Sequence, residues 1–258
     1  MGLARRLKPF PAGIISDKTV GSPFNKTGQK QTFMKKIATA FFLLTIWFST
    51  TYGQNDLRFG FQASPAITWM RTDSLKTVEG NGANTAFKLG AIGEKYFRPN
   101  YAIVSGINFF FNSGGTLRFA NGGNRFPNSG NDLDTIAAGS NVHYQLQYVE
   151  IPLGLKMKGG SGEDSYLNFF AEVPILTFGF RTKALADVRE TNVEGNIRED
   201  TRVLSASWGL GGGVEFNISG NTALIGGIYY QQGFLDATRN DDVRSTLRAI
   251  TLRIGVLF

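Results

Sequence analysis

Strict two-residue alternation constrains this chain more than any other feature, and it is clearest at the end. In the last nine residues, Ile250, Leu252, Ile254, Val256 and Phe258 are apolar, and Thr251, Arg253 and Gly255 between them are polar or small. A period of two puts one set on each face of a β-strand. The strand runs to the final residue and stops on an aromatic, as the closing strand of an outer-membrane barrel typically does.

Seven further stretches read the same way. The pattern predicts strands at about 57–71, 86–97, 101–112, 143–158, 166–181, 203–218, 222–233 and 246–258. The connectors alternate in length. Those at 98–100, 159–165 and 219–221 are short and carry turn residues; those at 72–85, 113–142, 182–202 and 234–245 are long and polar. This asymmetry belongs to an antiparallel meander with tight turns at one end and large loops at the other, the plan of a transmembrane barrel. Ten residues at ~3.3 Å each, tilted by about 40°, cover roughly 25 Å of membrane.

The two faces of each stretch differ in kind. Leu204, Ala206, Trp208, Leu210, Val214, Phe216 and Ile218 oppose Ser205, Ser207, Gly209, Gly211, Gly213, Glu215 and Asn217. Val149, Ile151, Leu153, Leu155 and Met157 oppose Glu150, Pro152, Gly154, Lys156 and Lys158. Leu167, Phe169, Ala171, Val173 and Ile175 are read against Asn168, Phe170, Glu172 and Pro174. The polar faces hold few charges and many glycines, which suits a crowded lumen better than eight faces in water. The reading is an all-β, eight-stranded, antiparallel up-and-down barrel with short periplasmic turns and long extracellular loops, apolar toward lipid. Under these faces a charge is tolerated worse at Leu252 than at Thr251. Pro65, Pro152 and Pro174 fall inside strands and are assigned to the inward face, with bulges or lost ladder bonds expected around them.

Composition removes other classes. The chain has no cysteine, so it has neither disulfides nor thiolate metal sites. The net charge of +7 suggests nucleic acid, but residues 1–53 carry eight of the 27 basic residues and one of the 20 acidic ones, leaving 19 of each beyond. The body is neutral and offers no nucleic-acid footprint. Met34-Lys35-Lys36 opens a positive segment, Ile37 to Phe48 is apolar, and Thr51 and Gly53 are small and two apart. That is the layout of a signal peptide at 34–53, cleaved before Gln54 and too short to span a membrane. Residues 1–33 then read as a non-native upstream extension, with translation starting at Met34 and the barrel occupying 54–258.

Eight charged residues fall on the predicted inner face: Arg58, Lys88, Glu94, Glu150, Lys156, Glu172, Glu215 and Arg253. Buried charges must be paired, so they are expected to form a network plugging a narrow lumen; an ion path is the alternative. His143 is the only histidine and lies at the rim. No serine signature accompanies it, and no catalytic, cofactor or metal residue is assigned. Asp132-Leu133-Asp134 and the stretch from Asp236 to Asp242 lack the spacing of a calcium loop. Gly209 to Gly213 lies inside a strand, where close inter-strand packing explains it better than a phosphate cradle. Trp69, Trp208, Tyr101, Tyr229 and Tyr230 are candidates for an aromatic girdle.

The segment Tyr148-Val149-Glu150-Ile151-Pro152-Leu153-Gly154-Leu155-Lys156 resembles the Tyr-x-Glu-Ile-Pro-Leu-x-x-Lys strand of PorT-like outer-membrane β-barrel proteins. The run from Gly209 to Phe216 and the one from Leu252 to Phe258 are similar to that family's sixth and closing strands. The resemblance spans about residues 54–258. It implies an outer-membrane barrel of a Gram-negative cell, with Phe258 inside the segment read by the barrel-assembly machinery. The expected partners are outer-membrane lipids and lipopolysaccharide, the assembly machinery, and secretion or envelope proteins. The expected role is structural or interactive rather than enzymatic, with a small-solute pore and a lipid-modifying enzyme as alternatives.

Overall fold

A computed structural model describes residues 57–258 apart from 75, 129–134, 160–165, 190–192, 221 and 240–242. The leader segment, the upstream extension and Asp132 to Asp134 lie outside the described residues. Eight long strands form the wall: β1 (Leu57–Thr72), β2 (Ala83–Arg98), β3 (Tyr101–Phe119), β4 (Asn141–Gly159), β5 (Leu167–Val188), β6 (Leu204–Ser219), β7 (Thr222–Gly233) and β8 (Ser245–Leu257). Each pairs antiparallel with the next, and β8 returns to β1 with Phe61 opposite Val256 and Ile67 opposite Ile250. The sheet therefore closes and leaves no edge, which backbone polar groups in hydrocarbon require. Among the described residues no helix is long and apolar enough to cross a membrane; strands do the crossing.

The outer wall is greasy. Phe59, Phe61, Ile67, Leu89, Ile103, Phe109, Leu153, Phe169, Phe178, Leu210, Phe216, Ile228, Leu252 and Ile254 are all exposed there. Phe258 points outward at the short-turn end, its backbone bonded in both directions to Phe59 and its ring edge-on to Phe61 at 6.4 Å. Trp69, Trp208 and Tyr230 ring the long-loop end of the belt, and Tyr101 sits at the other. Trp208 meets Tyr230 edge-on at 6.3 Å. Tyr229 is a correction: it is buried inside the barrel, because its odd number sets it opposite the outward Ile228 and Tyr230.

At the long-loop end the strands continue past the belt and their polarity inverts. Along β4, Val142, Tyr144, Leu146 and Tyr148 point inward and are buried, and the half-exposed Asn141, His143, Gln145 and Gln147 point out. From Val149 onward the apolar set is on the outside. Along β4 side-chain parity does not change at this point and only the solvent does, whereas β3 and β5 reach the same inversion through register shifts beside Ser113 and Lys183. Above the belt the outside is water, so burial of apolar area stabilises an apolar interior. The inner cluster includes Met70, Leu117, Phe119, Phe126, Ala184, Ala186, Val188 and Ile197. Much of what reads as loop at 113–142 and 182–202 is therefore strand. Val78–Gly80 pairs with 117–119, and Val193–Asn196 pairs with 185–188.

The prolines sit where pairing falters. Pro174 follows a cis peptide bond and lies at register shifts on both sides, since Glu172 and Ile175 face Lys156 and Gly154 on β4, and Gly211 and Gly209 on β6. The extra residue flips parity. Pro174 is consequently exposed and Ile175 buried, the reverse of the assignment from alternation. Pro65 also faces outward. Pairing with β8 skips Ser64 and Pro65, and pairing of β4 with β3 skips Ile151 and Pro152, with register kept in both cases.

Candidate functional site

Inward-pointing residues of all eight strands meet in the lumen. The eight charged residues singled out in the sequence all lie inside and fall into three groups. Near the short-turn end, Lys156 Nζ bonds Glu94 at 2.7 Å and Glu215 at 2.9 Å, and Arg58 bonds Glu215 at 2.6 Å. Lys158 reaches Glu215 at 2.9 Å, and the Tyr96 hydroxyl donates to Glu94 at 3.0 Å. In a second group, Lys88 bonds Glu150 at 2.7 Å and Gln231 at 2.6 Å, and Gln231 bonds Glu150 in turn. In the third, Arg253 Nη1 donates to both oxygens of Glu172 at 2.8 and 3.0 Å, and the Tyr229 hydroxyl donates to Glu172 at 2.8 Å. Gln62 donates to Asn108 close by.

Aromatic rings support the cations. Lys88 Nζ lies 4.1 Å from the centroid of Phe110, Lys156 Nζ lies 4.6 Å from that of Phe170, and the Arg253 guanidinium stacks 3.7 Å over Tyr229. Charges withdrawn from water persist only with close opposite charge, and each cation of these groups has a carboxylate within 2.9 Å. The lumen is not uniformly polar: Ile92, Val104, Ile225 and Leu257 form a small buried apolar cluster. A cavity beside the second and third groups has a volume of about 40 Å³, room for about three waters.

The glycine-rich run of β6 serves this packing. A Cβ on Gly211 would lie 2.1 Å from the Tyr229 ring, and one on Gly213 would meet the Gly226 carbonyl oxygen at 2.0 Å. Gly211→Ala is expected to displace Tyr229 from Glu172 and Arg253 and to destabilise the barrel by about 1–3 kcal/mol, the usual cost of overpacking. Gly226, whose Cβ would meet nothing within 4 Å, should accept alanine within about 0.5 kcal/mol. Denaturant unfolding in detergent micelles compares the two, and equal losses would refute the packing account.

Sequence reasoning missed Tyr96, Tyr229, Gln231 and Lys158 as members of these groups. Parity alone pointed Tyr229, Gln231 and Lys158 inward; the aromatic identity of Tyr229 argued for the girdle and obscured it. His143 lies above the belt, its Nδ1 3.2 Å from Thr116 Oγ1, and Asp187 is its cross-strand neighbour on β5. Burial, then Arg189, lowers the His143 pKa below its ordinary value. The grouping superficially suggests a nucleophile and base. Thr116, however, is 1% exposed, and its amide donates to the carbonyl of Gly82, in the connection just before β2. No substrate reaches that hydroxyl. Asp236 is also spoken for, accepting from Thr238 and from the Ser245 amide.

A closed antiparallel barrel with an apolar outer belt and an ion-paired interior defines a transmembrane β-barrel. The sequence matches the family model described as outer membrane protein beta-barrel domain over residues 52–239, and the chain belongs to that family and resides in the outer membrane. The match takes in the first seven strands; β8 completes the ring in the structure. No curated protein matches the sequence. Among solved structures, the chain is similar to Neisserial surface protein A, at 12% identity and a TM-score of 0.42, covering 77% of this chain and 95% of that one. It is similar to the attachment invasion locus protein Ail of Yersinia pestis, at 15% identity and a TM-score of 0.37, covering 79% and 99%. It is also similar to the outer membrane protease OmpT of Escherichia coli, at 7% identity and a TM-score of 0.34, covering 81% and 98%.

Proposed function

We propose that this protein is a sealed, non-catalytic outer-membrane barrel whose long-loop end is a contact surface for envelope or extracellular partners. The ion-paired lumen carries the reading. Three groups of charged side chains from six different strands cross-link the interior, and the cavity beside two of them holds only about 40 Å³, too little for a hydrated solute to pass there. The extension above the belt has its own apolar core, which holds a surface in fixed shape rather than leaving loose loops. In planar bilayers the full chain is expected to insert without discrete conductance steps. Regular single-channel steps would overturn the sealed reading and favour a small-solute pore.

Finer assignments rest on sequence. The motif from Tyr148 to Lys156 supports a PorT-like affiliation. A family match that begins at residue 52 supports a leader ending at Gly53. The outward position of Phe258 on the closing strand supports its proposed part in recognition by the assembly machinery.

A further inference from the structure

One feature of the outer wall has no part in sealing the lumen. Where the belt ends at the long-loop side, a groove of about 440 Å³ opens between the ends of β1, β7 and β8. Arg71, Arg244 and Arg248 line it with Asp73, Gln232 and Phe234. Arg248 lies opposite Trp69 on β1 and opposite Gln232 on β7, so it shares their outward face. Arg71 lies one outward step above Trp69.

The three arginines have no ion-pair partner among the described residues, and Arg248 Nε is buried without a hydrogen-bond partner. Among the described residues the one carboxylate lining the groove, Asp73, accepts the Arg244 backbone amide at 3.0 Å, and its own amide donates to the Arg244 carbonyl at 3.2 Å. That clasp fixes the rim, and Arg244 Nη2 donates to the Phe234 carbonyl. Three guanidinium groups around one opening match a phosphate ester, whose oxygens take paired N–H donors.

The surroundings select the source of that phosphate. Directly below the groove, on the same outward face, the wall becomes Trp69 and Tyr230 and then the exposed Ile67, Ile228 and Ile250. Successive outward residues are about 7 Å apart along a strand. A ligand with its phosphate at Arg248 would therefore lay acyl chains against Ile250 one step down and against Ile228 and Leu252 two steps down. The order apolar, aromatic, cationic is that of a membrane interface.

We propose that this groove binds the phosphate group of an anionic lipid of the outer leaflet, in the manner of a phosphorylated glycolipid. The proposal rests on outer-membrane residence and lies outside the lumen, so the outcome of a conductance measurement leaves it untouched. The test uses the refolded full chain in detergent, titrated with diphosphoryl lipid A and with its dephosphorylated counterpart and followed by native mass spectrometry. The diphosphoryl form should bind at least about ten-fold more tightly. The combined variant Arg71→Gln, Arg244→Gln, Arg248→Gln should lose that margin and keep heat-modifiable migration, the sign of a folded barrel. Lys183→Gln, at an exposed cation of β5, should retain it. If the triple variant does not fold, Arg71→Gln alone should still narrow the margin several-fold. Equal binding of the two lipids, an unchanged Arg71 variant, or an equal loss with Lys183→Gln would overturn the proposal. Inorganic phosphate that binds as tightly as the lipid would overturn the lipid assignment in favour of a soluble phosphate site.

Discussion

Replacement of Lys156 by methionine is expected to destabilise the barrel by about 3–5 kcal/mol, the cost of leaving buried charge without its partner. Lys156 and Glu94 side chains are each 1% exposed and that of Glu215 is 0% exposed. Without the ammonium, Glu94 loses its ion partner and Glu215 keeps only Arg58 and Lys158. Lys158→Met is the internal control. It contacts the same Glu215 at 2.9 Å, but its side chain is 18% exposed near the lumen mouth, where an ion pair contributes less than about 1 kcal/mol. Denaturant titration of both variants in micelles gives the comparison. If Lys156→Met costs no more than Lys158→Met, the lumen groups are loosely solvated and the sealed reading fails with them.

The second large effect lies on the lipid side. Leu252 is 47% exposed on the outer wall of β8, opposite Ile228. Leu252→Arg should cost about 2–4 kcal/mol, as a cation near the bilayer midplane does. Thr246 points to the same face of the same strand, six residues or about 20 Å higher, beside the arginine groove. Thr246→Arg should cost at most about 1 kcal/mol. A matching loss at both positions would mean that the belt does not end between them. Thr251, which alternation marks as tolerant, is a poor control, because it lines the 40 Å³ lumen cavity beside Tyr229 and Arg253. An arginine there would overpack.

Much of this molecule is legible in its sequence because both governing signals are local. A period of two assigns faces without knowledge of the partner strand, so Leu252, Phe216 and Ile103 read as lipid-facing and Glu94, Glu150 and Lys156 as interior. The alternation of short and long connectors sets which ends meet. What escaped had a non-local cause. Ile175 was assigned to the wrong face because the bulge at Pro174 depends on how β5 registers with both neighbours. Tyr229 looked like girdle because nothing next to it in the chain announces Glu172, 57 residues away. The strands above the belt looked like loops because their apolar residues switch sides with the solvent, which breaks any single template for the whole strand.

By itself, then, the sequence determined eight strands, their order, their greasy and polar faces and the neutral charge of the body, because backbone geometry and hydrophobicity act residue by residue. Only the tertiary structure decided which charge pairs with which, where parity flips, how far the wall rises above the membrane and that three arginines from β1, β8 and the segment between β7 and β8 share one groove. Those outcomes depend on the register with which the closed sheet brings distant residues side by side, and no local pattern encodes it.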